Sequence, residues 1–132
     1  MRRMRKWSPV LLAGMAVLVA GACDDDPAGP TEGIFAYEDP EFRGEARVFD
    51  GNIDDLRDIR GPCGAQDPDG DWNDCISSIR VPAGWEVTIF EDDSYEGGST
   101  TLTSDVTDLE NLNGPCGDDW DDCITAIQVR RR

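Results

Sequence analysis

The sequence predicts an all-β fold: two Greek-key motifs packed as a two-sheet sandwich. Three observations carry this. First, the chain repeats itself. Residues 34–64 lie on residues 87–117 without a gap, and after a shared Gly-Pro-Cys-Gly element residues 72–79 lie on residues 120–127, leaving an insert within residues 65–71 of the first copy. Second, the segments inside each copy have the periodicity of strands. IFAYE and VTIFE are β-branched and aromatic, EARVF and STTLT alternate, and CISSIRV and CITAIQV place Ile and Val on one face and polar residues on the other. Third, Gly, Asp, Asn and Pro punctuate every segment, and no window carries a sustained helical period. Residues 53–59 and 106–112 would form one short turn each. About four strands per copy, in two copies, gives two Greek keys.

Taken from the N-terminus, residues 1–22 read as a signal. Arg2, Arg3, Arg5 and Lys6 make a basic start, and residues 10–19 are apolar but too few to span a bilayer. The sequence VAGAC, ending at Cys23, resembles a bacterial lipoprotein signal, with Ala20 at the position where Leu is usual. The alternative is ordinary secretory cleavage near Ala22. The lipoprotein reading makes Cys23 the lipidation site and places the protein outside the cytoplasm, anchored in a bacterial cell envelope on the periplasmic or surface face. Residues 23–32, with two prolines and a glycine, form a tether.

The folded domain is assigned to residues 33–132, with one Greek key at about 34–81 and the second at about 85–130. Removing the four cations of the signal takes the formal net charge from −16 to −20, and no Lys follows Lys6. Such a surface repels nucleic acid and attracts cations. Solubility alone would also explain it. Four cysteines remain, and an exported chain favours disulfides. Each copy holds its own pair, so Cys63–Cys75 with Cys116–Cys123 treats both copies alike. In the chain-entropy view each bridge contributes roughly 2.5–3 kcal/mol.

Each copy also carries adjacent acidic or amide residues followed by a hydroxyl: Asn73, Asp74 and Ser77, then Asp121, Asp122 and Thr125. These are oxygen ligands for a hard cation. Upstream, YEDPEFRG (37–44) and FEDDSYEG (90–97) resemble the βγ-crystallin Greek-key signature, two aromatics and a glycine at fixed spacing with an early Glu. The family's calcium motif is N/D-N/D-x-x-S/T-S. Residues 73–78 fit it throughout, and residues 121–126 fit except at Ala126. The resemblance implies two calcium ions, each held by both copies. One would take the carbonyls of Glu38 and Asn73, the hydroxyl of Ser77 and the carboxylate of Asp122. The other would take the carbonyls of Glu91 and Asp121, the hydroxyl of Thr125 and the carboxylate of Asp74. It also implies that the second site persists despite Ala126, whose effect on its affinity is left open.

Other readings compete with this one. Asp67, Asp69, Gly70 and Asp71 superficially resemble an EF-hand loop, but Gly70 stands at position four where position six is required, and Ser78 stands where the closing Glu belongs. A zinc site lacks both histidine and a C-x-x-C pair. Some secreted bacterial metalloprotease inhibitors look like the same fold, and the loop at residues 66–71 is the candidate inhibitory segment. Enzymatic chemistry has little to work with: there is no His, and the hydroxyl residues of the domain have no Lys near them. Trp72, Trp85 and Trp120 are expected in the core or loops, with a carbohydrate platform as the alternative. The protein partner is left open.

Overall fold

The computed structural model describes residues 32–64 and 70–132. The predicted signal, Cys23 and nearly all of the predicted tether lie outside the described residues, as do residues 65–69 of the insert. Among the described residues eight strands follow in order: β1 (Ile34–Asp39), β2 (Arg43–Phe49), β3 (Arg60–Cys63), β4 (Ser78–Arg80), β5 (Trp85–Asp92), β6 (Glu96–Leu102), β7 (Asn113–Cys116) and β8 (Ala126–Arg131). Two antiparallel sheets result, ordered β2-β1-β4 and β6-β5-β8.

Each strand pair begins as a folded hairpin. Pro40–Phe42 and Asp93–Tyr95 are short 3-10 turns whose last two residues take left-handed backbone: Glu41 (φ 63°) and Phe42 (φ 60°), then Ser94 (φ 58°) and Tyr95 (φ 60°). The turn lays the second aromatic on the first. Tyr37 and Phe42 stand 5.5 Å apart between ring centroids, as do Phe90 and Tyr95. The glycine that follows closes the motif. Gly44 and Gly97 have φ of 80° and 78°, and a Cβ there would meet the carboxylates of Asp39 and Asp92 at 2.7 and 2.6 Å.

The keys interlock through the segment after the second strand. Ile53 exchanges both backbone hydrogen bonds with Ile127 of β8 (2.9 and 3.0 Å), and Val106 does the same with Ile79 of β4 (2.9 and 3.0 Å). Side chains extend each crossing: Asn52 Oδ1 accepts the Val129 N–H at 3.0 Å, and Asp105 Oδ1 accepts the Val81 N–H at 2.7 Å. Each sheet is thereby bordered by a segment of the other copy, the hallmark of a Greek-key swap.

The alternating residues Ile34 and Ala36 of β1 and Trp85, Val87 and Ile89 of β5 face a shared interior with Ile79, Ile127 and Val129. Trp72 and Trp120 are buried there, each 2% exposed, and Trp85 is 6% exposed. The core reading of all three tryptophans therefore holds, and none forms an exposed platform. The possible turns near residues 56 and 109 are 3-10 turns, Leu56–Asp58 and Leu109–Asn111, each seating one buried Leu.

Two expectations differ in detail. The strands expected to begin at Cys75 and Cys123 begin at Ser78 and Ala126. The residues just before them spend hydrogen bonds on the opposite copy instead: the Asp122 N–H donates to the Ile76 carbonyl (3.2 Å), and the Leu109 N–H to that of Ser77 (2.9 Å). The Gly-Pro-Cys elements, which lie outside the strand segments expected from the sequence, form β3 and β7, each pairing with a single acidic residue, Asp71 or Asp119.

Candidate metal centre

The loops at residues 71–77 and 119–125 are built the same way. Asp71 Oδ1 accepts the Asn73 N–H at 2.9 Å, and Asp119 Oδ1 accepts the Asp121 N–H at 2.9 Å, so a side chain shapes each bend. The next residue, Asp74 or Asp122, has φ of 52°. Disulfides Cys63–Cys75 and Cys116–Cys123 then tie each loop to its own Gly-Pro-Cys strand, with Cα separations of 5.7 and 5.8 Å. This is the pairing that the repeat predicts.

The loops cross. The Asp74 N–H donates to the Ile124 carbonyl at 3.0 Å, and the Asp122 N–H to the Ile76 carbonyl at 3.2 Å. The crossing brings together residues of the two predicted ligand sets. Ser77 Oγ lies 3.5 Å from Asp122 Oδ1 across the copies. The Ser77 N–H bonds the Tyr37 carbonyl at 2.9 Å, which sets Glu38 next to it; the Thr125 N–H bonds the Phe90 carbonyl at 3.0 Å and does the same for Glu91. Asp74, Glu91 and Thr125 line one cavity of about 470 Å³. Asp121 is not among its lining residues, whereas Asn73 is, with its amide donating to Asp74 Oδ2 at 3.1 Å.

The donor chemistry fits a calcium ion. Ser77 and Thr125 are buried hydroxyl residues at 5% and 9% exposure. Asn73 Oδ1 and Asp121 Oδ1 are buried acceptors with no hydrogen-bond donor among the described residues, one in each loop. Such oxygens are costly to leave unpaired. Among the described residues no three Asp, Glu, His or Cys side chains converge as a ligand group. What converges is a mixture of carboxylate, hydroxyl and carbonyl oxygen, which calcium accepts and zinc does not favour.

Electrostatics point the same way. Partial burial raises the pKa of Asp74, with the charge of Asp71 adding to it and the Asn73 amide and Arg57 opposing. Partial burial likewise raises that of Asp122, joined by the charges of Asp121, Asp74 and Glu110 and opposed by the Ser77 hydroxyl. Each loop thus holds a carboxylate that gains from a nearby cation.

Sequence reasoning missed two features. Ser78 is fully buried; its hydroxyl donates to the Asp39 carbonyl at 2.6 Å and accepts the Phe42 N–H at 3.0 Å, clamping the first folded hairpin. Ala126 leaves the second hairpin without that clamp. Arg57 also lines the cavity shared by Asp74, Glu91 and Thr125. Its signal was in the repeat, where Arg57 aligns with Glu110 and reverses the charge.

Two sheets exchanging segments around paired, crossing loops define a βγ-crystallin-type domain. The chain belongs to peptidase inhibitor family I36, a βγ-crystallin-like family whose model matches residues 30–103. It is 31% identical over 110 residues to Spherulin-3A of Physarum polycephalum, covering 81% of this chain and 91% of that protein. Among solved structures, one described as "Evolution of the eye lens beta-gamma-crystallin domain fold" matches with a TM-score of 0.64 and 28% identity, over 83% of this chain and 97% of that one. A βγ-crystallin domain from Flavobacterium johnsoniae matches with a TM-score of 0.55 and 24% identity, over 75% and 94%, and supports the fold alone.

Proposed function

We propose that the protein is a non-enzymatic, calcium-binding βγ-crystallin-type lipoprotein whose fold is stabilised by two calcium ions, one at each loop crossing. The observation that carries this reading is the approach of Ser77 Oγ to Asp122 Oδ1 from opposite copies. A cation there would bind a hydroxyl and a carboxylate that only the folded, interlocked chain brings together, so binding would favour the folded state. At a calcium concentration 100-fold above the dissociation constant, a site contributes about 2.7 kcal/mol. Dissociation constants on the order of 10⁻⁴–10⁻³ M suit an extracellular module. The lipid anchor at Cys23 would hold this module at a bacterial envelope, in an envelope-stabilising, adhesive or stress-protective role.

The test is a calorimetric calcium titration of the chelator-stripped protein with thermal melts beside it. Binding heat, a raised melting temperature and loss of both in the Asp74→Ala/Asp122→Ala variant are expected. No heat and no shift at millimolar calcium would sink the reading.

The family match favours a second reading, a peptidase inhibitor acting through the loop at residues 66–71, most of which lies outside the described residues. Inhibition across a small protease panel that survives Asp74→Ala but is lost on deleting that loop would favour it.

A further inference from the structure

The two sites of the calcium reading are not electrically equivalent. Arg57 and Glu110 occupy matched places in the two 3-10 turns. Asp55 Oδ1 accepts the Arg57 N–H at 2.9 Å, and Asp108 Oδ1 accepts the Glu110 N–H at 3.0 Å. Their side chains then diverge. The Arg57 guanidinium pairs with Asp55 through both carboxylate oxygens at 2.9 Å and reaches Asp93 of the other copy at 3.0 Å. There it lines the cavity shared by Asp74, Glu91 and Thr125. Asp93 aligns with Pro40 in the first copy, so the Ser77–Asp122 side has neither the arginine nor its partner. Glu110 instead adds negative charge that acts on Asp122.

We propose that Arg57 is a built-in counter-cation of the second site, and that its charge makes the sites fill in order, the Ser77–Asp122 site first and the Thr125–Asp74 site second. This rests on the calcium reading above. A fixed positive charge beside a divalent ion in a wet cleft lowers affinity by on the order of tenfold at low salt, and by less as salt screens it. Arg57 is 54% exposed along its side chain, and its ion pairs are of the weak surface kind. Without calcium its charge offsets part of the repulsion among Asp74, Asp92 and Asp93. The asymmetry has a different origin from Ala126, which alters hairpin support and leaves the charge of the cavity unchanged.

Calcium titration of the ¹⁵N-labelled, chelator-stripped protein at low salt separates the sites, because the amides of Ser77 and Thr125 report one each. In the unmodified chain the Ser77 signal is expected to saturate first. Arg57→Gln should lower the Thr125 midpoint roughly tenfold and leave Ser77 nearly unmoved, while Glu110→Gln should raise the Ser77 midpoint. Arg130→Gln removes the same charge at an exposed pair with Glu86, away from the cavity, and should not reproduce the effect. A Thr125 midpoint that Arg57→Gln moves no further than Arg130→Gln does would overturn the inference while leaving two calcium sites standing. No response at either amide would overturn it together with the calcium reading.

Discussion

Ser78 and Ala126 are the same position in the two copies, and the difference between them is a measurable quantity. The Ser78 hydroxyl satisfies two backbone groups of a hairpin in left-handed conformation. Ser78→Ala should cost about 1–3 kcal/mol in urea unfolding, since it strands a buried carbonyl and N–H. Ala126→Ser should build the missing clamp between the Asp92 carbonyl and the Tyr95 N–H and raise stability; a loss instead would show that the second hairpin has no place for the hydroxyl. Asp74 and Asp122 work the other way. Their raised pKa values mean that the folded, metal-free chain holds these protons more tightly than the unfolded chain does. Each carboxylate therefore weighs against the metal-free fold above its folded pKa, and the penalty is relieved as pH falls through that value towards the ordinary one of 3.8. Asp122→Asn should raise the melting temperature of the chelated protein at neutral pH, flatten its fall between acid and neutral pH, and reduce the gain from calcium. Scanning calorimetry with and without chelator reads all three.

At the scale of elements, the loops are held by covalent ties as well as by hydrogen bonds. Replacing Cys63 and Cys75 together by Ala should lower stability by about 3 kcal/mol in the chain-entropy view. It should also weaken calcium binding, because the freed loop must be ordered by the ion itself. Denaturant melts at low and saturating calcium separate the two effects: unchanged affinity would mean that Asp71 and the crossing hydrogen bonds shape the loop unaided. The strands most legible in the sequence were β1, β2, β5 and β6, where alternation, paired aromatics and the glycine of the folded hairpin all agree. The starts of β4 and β8 were not legible. Residues 75–77 and 123–125 have strand composition, but the carbonyls of Ile76, Ser77, Ile124 and Thr125 accept hydrogen bonds from the opposite copy, which no local pattern records. The roles of Asp71 and Asp119 were hidden for a related reason: an Asp that shapes a bend is hard to tell from a solvated one in a chain this acidic.

At the scale of the molecule, the interlock makes the two keys one folding unit. Ile53 belongs to the first copy and Val106 to the second, yet each hydrogen-bonds to the last strand of the other. Either half expressed alone should lack a border for its sheet and a partner for Leu56 or Leu109, and should stay unfolded by circular dichroism. Mixing the halves should restore structure, and a half that folds cooperatively by itself would contradict the interlock. The candidate site shares this dependence, which explains why the ligand types could be read from the sequence while their meeting could not. The hydroxyls and carboxylates were visible at their spacing; that Ser77 meets Asp122 and that Arg57 lines the cavity of Asp74 and Thr125 are consequences of the two copies interlocking. The central claim, that each ion is held by both copies, is tested most directly by anomalous scattering from crystals grown in calcium chloride. The account predicts two peaks, one beside Ser77 and Asp122 and the other beside Thr125 and Asp74. Peaks held by one copy alone, or none at these crossings, would contradict it.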